Sequence, residues 1–207
     1  MEFKHVITTA EELRAILGHP NPMIARKGQP RIDAFARQMI ERSPFCVIAS
    51  RNASGDMDIS PKGDPAGFAL VLDENTVAIP DRPGNRIADT LTNIIEVPEV
   101  AVIFLVPGTG HTLRVNGWAR IVRDLDIRER LAHEGRVPEL AIAIAVETAF
   151  FHCAKCMIRS SLWNPERWPE VDDLPTLGTV LKTQLDWGIA LKTLDRRIDQ
   201  SYRDDLY

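Results

Sequence analysis

The sequence predicts a mainly β protein, an antiparallel barrel of six strands, closed or partly closed, with helices before and after it. Two observations carry this. From Phe45 onward, apolar runs of strand length recur between clusters of turn residues, with few long helices between them. The near-continuous alanine, isoleucine and valine run from Leu140 to Phe151 then reads as a strand buried on both faces, with a helix of the same composition as the alternative. At 207 residues, 44% hydrophobic and 26% charged, the chain suits one core with a helical arm. The implied organisation is a helical segment over residues 1–43, the barrel over 44–170 and a closing helix over 171–207.

Each element has a local reason. Thr9-Ala10-Glu11-Glu12 reads as a capping box, and Leu13, Ile16 and Leu17 give a short apolar face that Gly18 and Pro20 end. Prolines 22 and 30 punctuate a link to Ile32, Phe35, Met39 and Ile40, whose spacing predicts a second helix closed at Ser43-Pro44. Phe45 to Ser50 and Met57 to Pro61 read as strands around an Asn52 to Asp56 turn, and Gly67 to Leu72 and Thr76 to Pro80 as a hairpin around Asp73-Glu74-Asn75. A helix carrying Ile87, Leu91 and Ile94 follows. Val100 to Val106 and Thr112 to Arg123 are longer strands around Pro107-Gly108-Thr109-Gly110, and Asp126 to His133 is a short charged helix with a solvated face. After a loop rich in tryptophan and proline at 161–169, Leu177, Leu181, Leu185, Gly188, Leu191, Leu194 and Ile198 follow the spacing of one long helix. Its expected role is packing on the barrel or a second subunit, rather than contact with a cofactor.

The net charge of -4 disfavours nucleic acid as the principal partner, since phosphate-backbone binding calls for a basic face. The first residues lack a signal or transit composition, and no apolar stretch approaches about 18 residues, so the expectation is a soluble cytoplasmic protein with no membrane partner. Three cysteines make no disulfide framework and fit a reducing compartment.

The most informative stretch is Val77 to Asn93, where an apolar strand runs into Asp81-Arg82-Pro83-Gly84-Asn85-Arg86 and then into an amphipathic helix. The first turn of a helix leaves N–H groups unpaired, its dipole favours an anion, and arginine adds a planar charged fork suited to phosphate. Asn85 can cap the helix or donate to the anion. An ordinary strand-to-helix turn with solvated arginines is the alternative.

Ser60-Pro61-Lys62-Gly63-Asp64, the Asp81 to Arg86 segment, the strand Thr112 to Gly117, and His152-Cys153-Ala154-Lys155 followed by Arg159-Ser160-Ser161-Leu162-Trp163 together resemble the pyridoxamine 5'-phosphate oxidase-like, FMN-binding split-barrel family, in its uncharacterised FMN-dependent branch. The resemblance covers roughly Ser43 to Trp168. It implies a homodimer with FMN across the barrel at the subunit interface, acting as an oxidoreductase on a small molecule, with NADH or NADPH as a candidate reductant. Asn85 and Arg86 match the phosphate position, with Arg82 beside them. Lys62 matches a basic residue that reaches the cofactor, and Ser60 and Pro61 lie beside the flavin ring. Ile79 and Pro80 contribute backbone, and Thr112 faces the ring edge. Arg159, Ser160 and Trp163 match the region that approaches flavin from the neighbouring subunit, where Trp163 offers a stacking wall. The chain departs from the oxidase at Met57, where that enzyme has an arginine, and lacks its arginine-histidine substrate motif, so vitamin B6 oxidation is not implied.

The alternative within the same fold is a module that holds flavin, deazaflavin or haem without fast turnover, because function lives in the site and not the fold. Cys153 and Cys156 form a C-x-x-C that could be half a zinc site or a redox pair, but with no second C-x-x-C to complete it the expected reading is structural or incidental cysteines and no metal. Glu147, on an apolar strand, must be paired or exposed. His111 and His133 read as packed or solvent-facing.

Overall fold

The computed structural model describes residues 1–185 and 188–207. Seven strands form a single sheet: β1 (Phe45–Arg51), β2 (Met57–Gly63), β3 (Leu70–Asp73), β4 (Thr76–Asp81), β5 (Glu99–Leu105), β6 (Thr112–Val122) and β7 (Leu140–His152). The order across it is β2-β1-β5-β6-β7-β4-β3 and every pairing is antiparallel. β2 and β3 end the sheet, and no ladder joins them among the described residues, so the barrel is split. The sheet has one strand more than the expected six, although each of the seven falls on a segment that the sequence marks as a strand, β3 being the shortest at four residues.

Side-chain alternation sets the register. In β1, Cys46, Ile48 and Ser50 are buried while Phe45 and Arg51 are exposed. A slip of one residue would expose Ile48 and turn Arg51 inward. Each fully buried large apolar side chain is worth roughly 1.5–3 kcal/mol, so the penalty for a slip is steep. Ile48, Phe104, Leu113, Val115, Ile142 and Ile144 form the centre of the core.

β7 meets the expectation of burial on both faces only at its start, where Ala141 and Ile142 are both fully buried. Ile142, Ile144 and Val146 point inward, whereas Ala145 and Glu147 are exposed. The pairing shifts between Asn116 and Gly117, which stand opposite Thr148 and Val146, so Glu147 is the extra residue of a bulge. Its carboxylate is thereby solvated, and the inward set resumes at Ala149. Gly117 is required here, since a Cβ would lie 2.0 Å from the Ala145 carbonyl oxygen.

Helices fill in around the sheet. In α1 (Ala10–Leu17), Thr9 Oγ1 accepts from the Glu12 N–H as expected, but the Glu12 carboxylate accepts from Thr8 rather than closing a box with Thr9. Its apolar residues Leu13, Ile16 and Leu17 are exposed. After the short α2 (Pro22–Ala25), α3 (Ala34–Arg42) is capped by Asp33, whose carboxylate accepts from the Ala36 N–H at 2.8 Å. Ala36, Met39 and Ile40 enter the core, but Phe35 is exposed. α4 (Asp89–Glu96) buries Thr90, Asn93 and Ile94, with α5 (Leu125–Arg130) and α6 (Lys155–Ser160) later in the chain.

The closing stretch is two helices, α7 (Leu177–Leu185) and α8 (Leu191–Asp204), not one. Gly188, a poor helix residue, lies between them, and α8 restarts after an extended Ala190. Gly178 permits their close approach, since a Cβ there would meet Asp195 Oδ1 at 2.1 Å. No described helix is long and apolar enough to cross a membrane.

Candidate functional site

The ends of β2 and β4, the start of α4 and the end of α8 surround one large cavity of about 1110 Å³. That is just above the roughly 300–1,000 Å³ usual for small-molecule sites. Period-2 geometry places Asp58, Ser60 and Lys62 on one face of β2 and partly buries them, while Met57, Ile59 and Pro61 stand on the outer face. Lys62 Nζ donates to Ser60 Oγ at 2.9 Å. Thr90, in the first turn of α4, donates its hydroxyl to Asp58 Oδ2 at 2.7 Å, which ties the helix start to β2.

The turn from β4 to α4 is strained. Arg86 and Ala88 both have φ of 62°, a left-handed conformation that non-glycine residues rarely adopt and that concentrates at functional sites. Ala88 is the N-cap residue, and no side chain caps the helix. Asn85 is therefore not the helix cap: its Oδ1 accepts from the Ile87 N–H at 3.0 Å in a local turn upstream. The helix begins later than its apolar spacing suggests, which leaves Ile87 outside it and exposed. Uncapped first-turn N–H groups remain at the cavity wall, with Arg86 beside them making no hydrogen bond or ion pair among the described residues.

Arg82 is differently placed. Its Nε donates to Asp64 Oδ2 at 2.6 Å, and one Nη donates to the Leu131 carbonyl at 2.9 Å. Asp64 is 1% exposed and Arg82 15%, so this is a buried ion pair with much of the fork already engaged. The lining carries Lys62, Arg82 and Arg86 against Asp58, Asp81, Asp89 and Asp205, so its positive character is local to the turn. Burial raises the Asp81 carboxyl above its usual range, with Lys62 opposing the shift.

Of the residues the sequence points to, the fold brings together Ser60, Pro61, Lys62, Arg82, Asn85 and Arg86 around this cavity. Ile79 and Pro80 are buried in β4 behind it. Thr112 is buried at the start of β6 and is not part of the lining. Arg159 and Ser160, on α6, also lie elsewhere, and Trp163 packs on the turn before β6, its indole N–H donating to the Thr109 carbonyl at 2.7 Å. Cys153 and Cys156 are exposed free thiols, and Cys46 is buried. His111 and His133 pack against the rings of Phe151 and Tyr207.

The cavity also has a wall that the sequence did not signal. Leu177 on α7 and Ser201, Tyr202, Asp205, Leu206 and Tyr207 at and beyond the end of α8 all line it. The closing helix is expected to pack on the barrel or on a second subunit, and its final turn lies against the candidate site. The helical spacing of its leucines describes how α8 packs but not where its last turn lands.

Comparison with known proteins follows the same ground. A family model described as pyridoxamine 5'-phosphate oxidase matches residues 32–153, from just before α3 to just past β7. No curated protein sequence matches the chain. Among solved structures, the chain is similar to HupZ of Group A Streptococcus, with 20% identity and a TM-score of 0.48 over 58% of this chain and 93% of that one. It is also similar to a Clostridium acetobutylicum protein related to general stress protein 26, of the pyridoxinephosphate oxidase family, with 14% identity and a TM-score of 0.44 over 57% and 86%. General stress protein 26 of Bacillus anthracis gives 14% identity and a TM-score of 0.43 over 55% and 88%.

Proposed function

The chain belongs to the pyridoxamine 5'-phosphate oxidase family, and from that premise we propose that it is an FMN-dependent oxidoreductase acting on a small molecule. The observation that carries this reading is the Asn85 to Asp89 turn. There a positively charged Arg86, two left-handed residues and an uncapped helix start meet at the wall of a cavity large enough for a flavin.

The donor set fits FMN. The phosphate would be held by Arg86, the first-turn N–H groups of α4 and Lys62, with Asn85 Nδ2 as a further donor. Ser60, on the partly buried face of β2, and the neighbouring Pro61, both in the lining, would border the ring. When bound, the flavin supplies hydride and electron chemistry, and the protein supplies orientation, charge and exclusion of water. Arg82 supports the site from behind, since Asp64 and the Leu131 carbonyl hold its Nε and one Nη. For haem iron the lining offers no histidine, cysteine or methionine, only the phenols of Tyr202 and Tyr207, and the second of these is already bound to Asp64. A deazaflavin shares the phosphate chemistry and is the competing ligand.

The same reading includes a homodimer. Phe45, Met57 and Ile59 stand exposed on the outer face of β1 and β2, at 40%, 67% and 69%, as apolar surface suited to a second protomer. Arg159, Ser160 and Trp163 would then approach the flavin of the partner. The test is anaerobic mixing of the FMN-loaded protein with NADH or NADPH. Bleaching of the flavin supports the oxidoreductase. A flavin that binds but accepts electrons from neither supports a binding module of the same fold.

A further inference from the structure

Four contacts converge on Tyr207. Its hydroxyl donates to Asp64 Oδ1 at 2.5 Å, so Asp64 bridges Tyr207 and Arg82 with its two oxygens. Its ring lies 5.6 Å from the Arg82 guanidinium carbon and 4.8 Å from the His133 ring. Its main-chain oxygen accepts from Arg136 Nη1 at 2.6 Å. The contacts come from three separate places: the end of β2, the end of β4 and the segment between α5 and β7. Together these contacts offset the entropy of ordering the side chain and hold it in one place.

Tyr207 in turn fixes the segment from Ser201 onward across the cavity. Tyr202 and Leu206 line that space while remaining 61% and 60% exposed, so they present unpaired apolar surface to whatever occupies it. Polar anchors set behind and apolar faces set in front suit a planar ring better than a free anion.

Resting on the cofactor reading above, we infer that residues 201–207 form the outer wall of the cofactor pocket in cis. Tyr202 and Leu206 pack on a planar, phosphate-bearing ligand, and Tyr207 is the positioning residue that latches the wall to Asp64, Arg82 and Arg136. The wall slows escape of the ligand and shields its ring from solvent.

The experiment uses the full chain loaded with FMN. It reads the dissociation rate of FMN and the quenching of bound-flavin fluorescence by iodide in the wild type, Tyr207→Ala, Tyr207→Phe and Arg136→Ala. Loss of the hydroxyl and ring contacts in Tyr207→Ala should speed dissociation by about tenfold or more and raise iodide quenching. Tyr207→Phe, which keeps the ring on Arg82 and His133, should fall between that variant and the wild type. Arg136→Ala leaves Tyr207 itself intact and should shift both readouts in the same direction, which guards against a fold defect peculiar to one substitution. A wild type that retains FMN while all three variants match it in rate and quenching overturns the latch and leaves the cofactor site standing. A wild type that binds no FMN overturns the cofactor reading and the latch with it.

Discussion

The carboxylate of Asp64 and the guanidinium of Arg82 join the two halves of the split sheet. Asp64 directly follows β2, one edge of the sheet, and Arg82 directly follows β4, beside the other. With no backbone ladder between β2 and β3 among the described residues, this 2.6 Å ion pair does part of what a ladder does in a closed barrel. The pair lies at the cavity, with Lys62 two residues before Asp64 at the end of β2 and Arg86 four residues after Arg82 in the turn to α4.

Arg82 and Arg86 should therefore respond differently to removal. Arg82→Ala strands a buried carboxylate, a change that typically costs about 3–5 kcal/mol. Arg86→Ala removes an exposed side chain and should change stability by less than about 0.5 kcal/mol. FMN affinity should reverse the ranking of direct effects, with Arg86→Ala losing a charge-assisted contact of about 1.5–3 kcal/mol. Urea unfolding with parallel FMN titration checks both. Equal stability losses for the two variants would remove the structural assignment of Arg82.

Asp81 supplies a pH signature. Burial raises its folded pKa above 3.8, and Lys62 pulls against that shift without cancelling it. A raised acid binds its proton more tightly when folded, so stability is present at low pH and is lost as pH rises from 3.8 through the folded value. Asp81→Asn removes this loss. Its melting temperature should exceed the wild type's near neutrality, and the two curves should converge as pH falls below 3.8. Identical melting temperatures at neutral pH would contradict it.

The three thiols should separate by environment. Burial pushes the Cys46 thiol up to about 12, with Lys62 opposing, whereas Cys153 and Cys156 are exposed. Labelling with a thiol reagent near pH 8, which follows thiolate character and access, should modify those two in the folded protein and Cys46 only on unfolding. Rapid labelling of all three would contradict the burial of β1.

The strand pattern was legible because alternation and turn residues are local signals, and β1, β2, β5 and β6 begin and end within a few residues of where composition places them. Burial of β7 on both faces holds at Ala141 and Ile142 but not at Ala145, because alanine fits a covered or an open face equally well and only tertiary packing decides which it meets. Half of the candidate site was legible for the same local reason: Lys62, Asn85 and Arg86 stand at strand and helix ends. The rest depends on long-range placement. Nothing within Arg82's own segment reveals Asp64, 18 residues earlier, as its partner, and Tyr207 meets Asp64 across 143 residues. Ile79, Pro80, Thr112, Arg159, Ser160 and Trp163 lie outside the cavity lining, and their proposed roles rest on backbone contact or a second protomer.

The most direct test of the central claim is to add excess FMN to purified wild-type and Arg86→Ala protein, desalt both, and measure retained flavin per chain from the absorption spectrum. A phosphate site at the β4 to α4 turn gives near-stoichiometric flavin on the wild type and a clear loss on Arg86→Ala with the fold intact. A wild type that emerges colourless, or an Arg86→Ala variant that retains as much flavin as the wild type, would contradict the assignment of the β4 to α4 turn as the phosphate site.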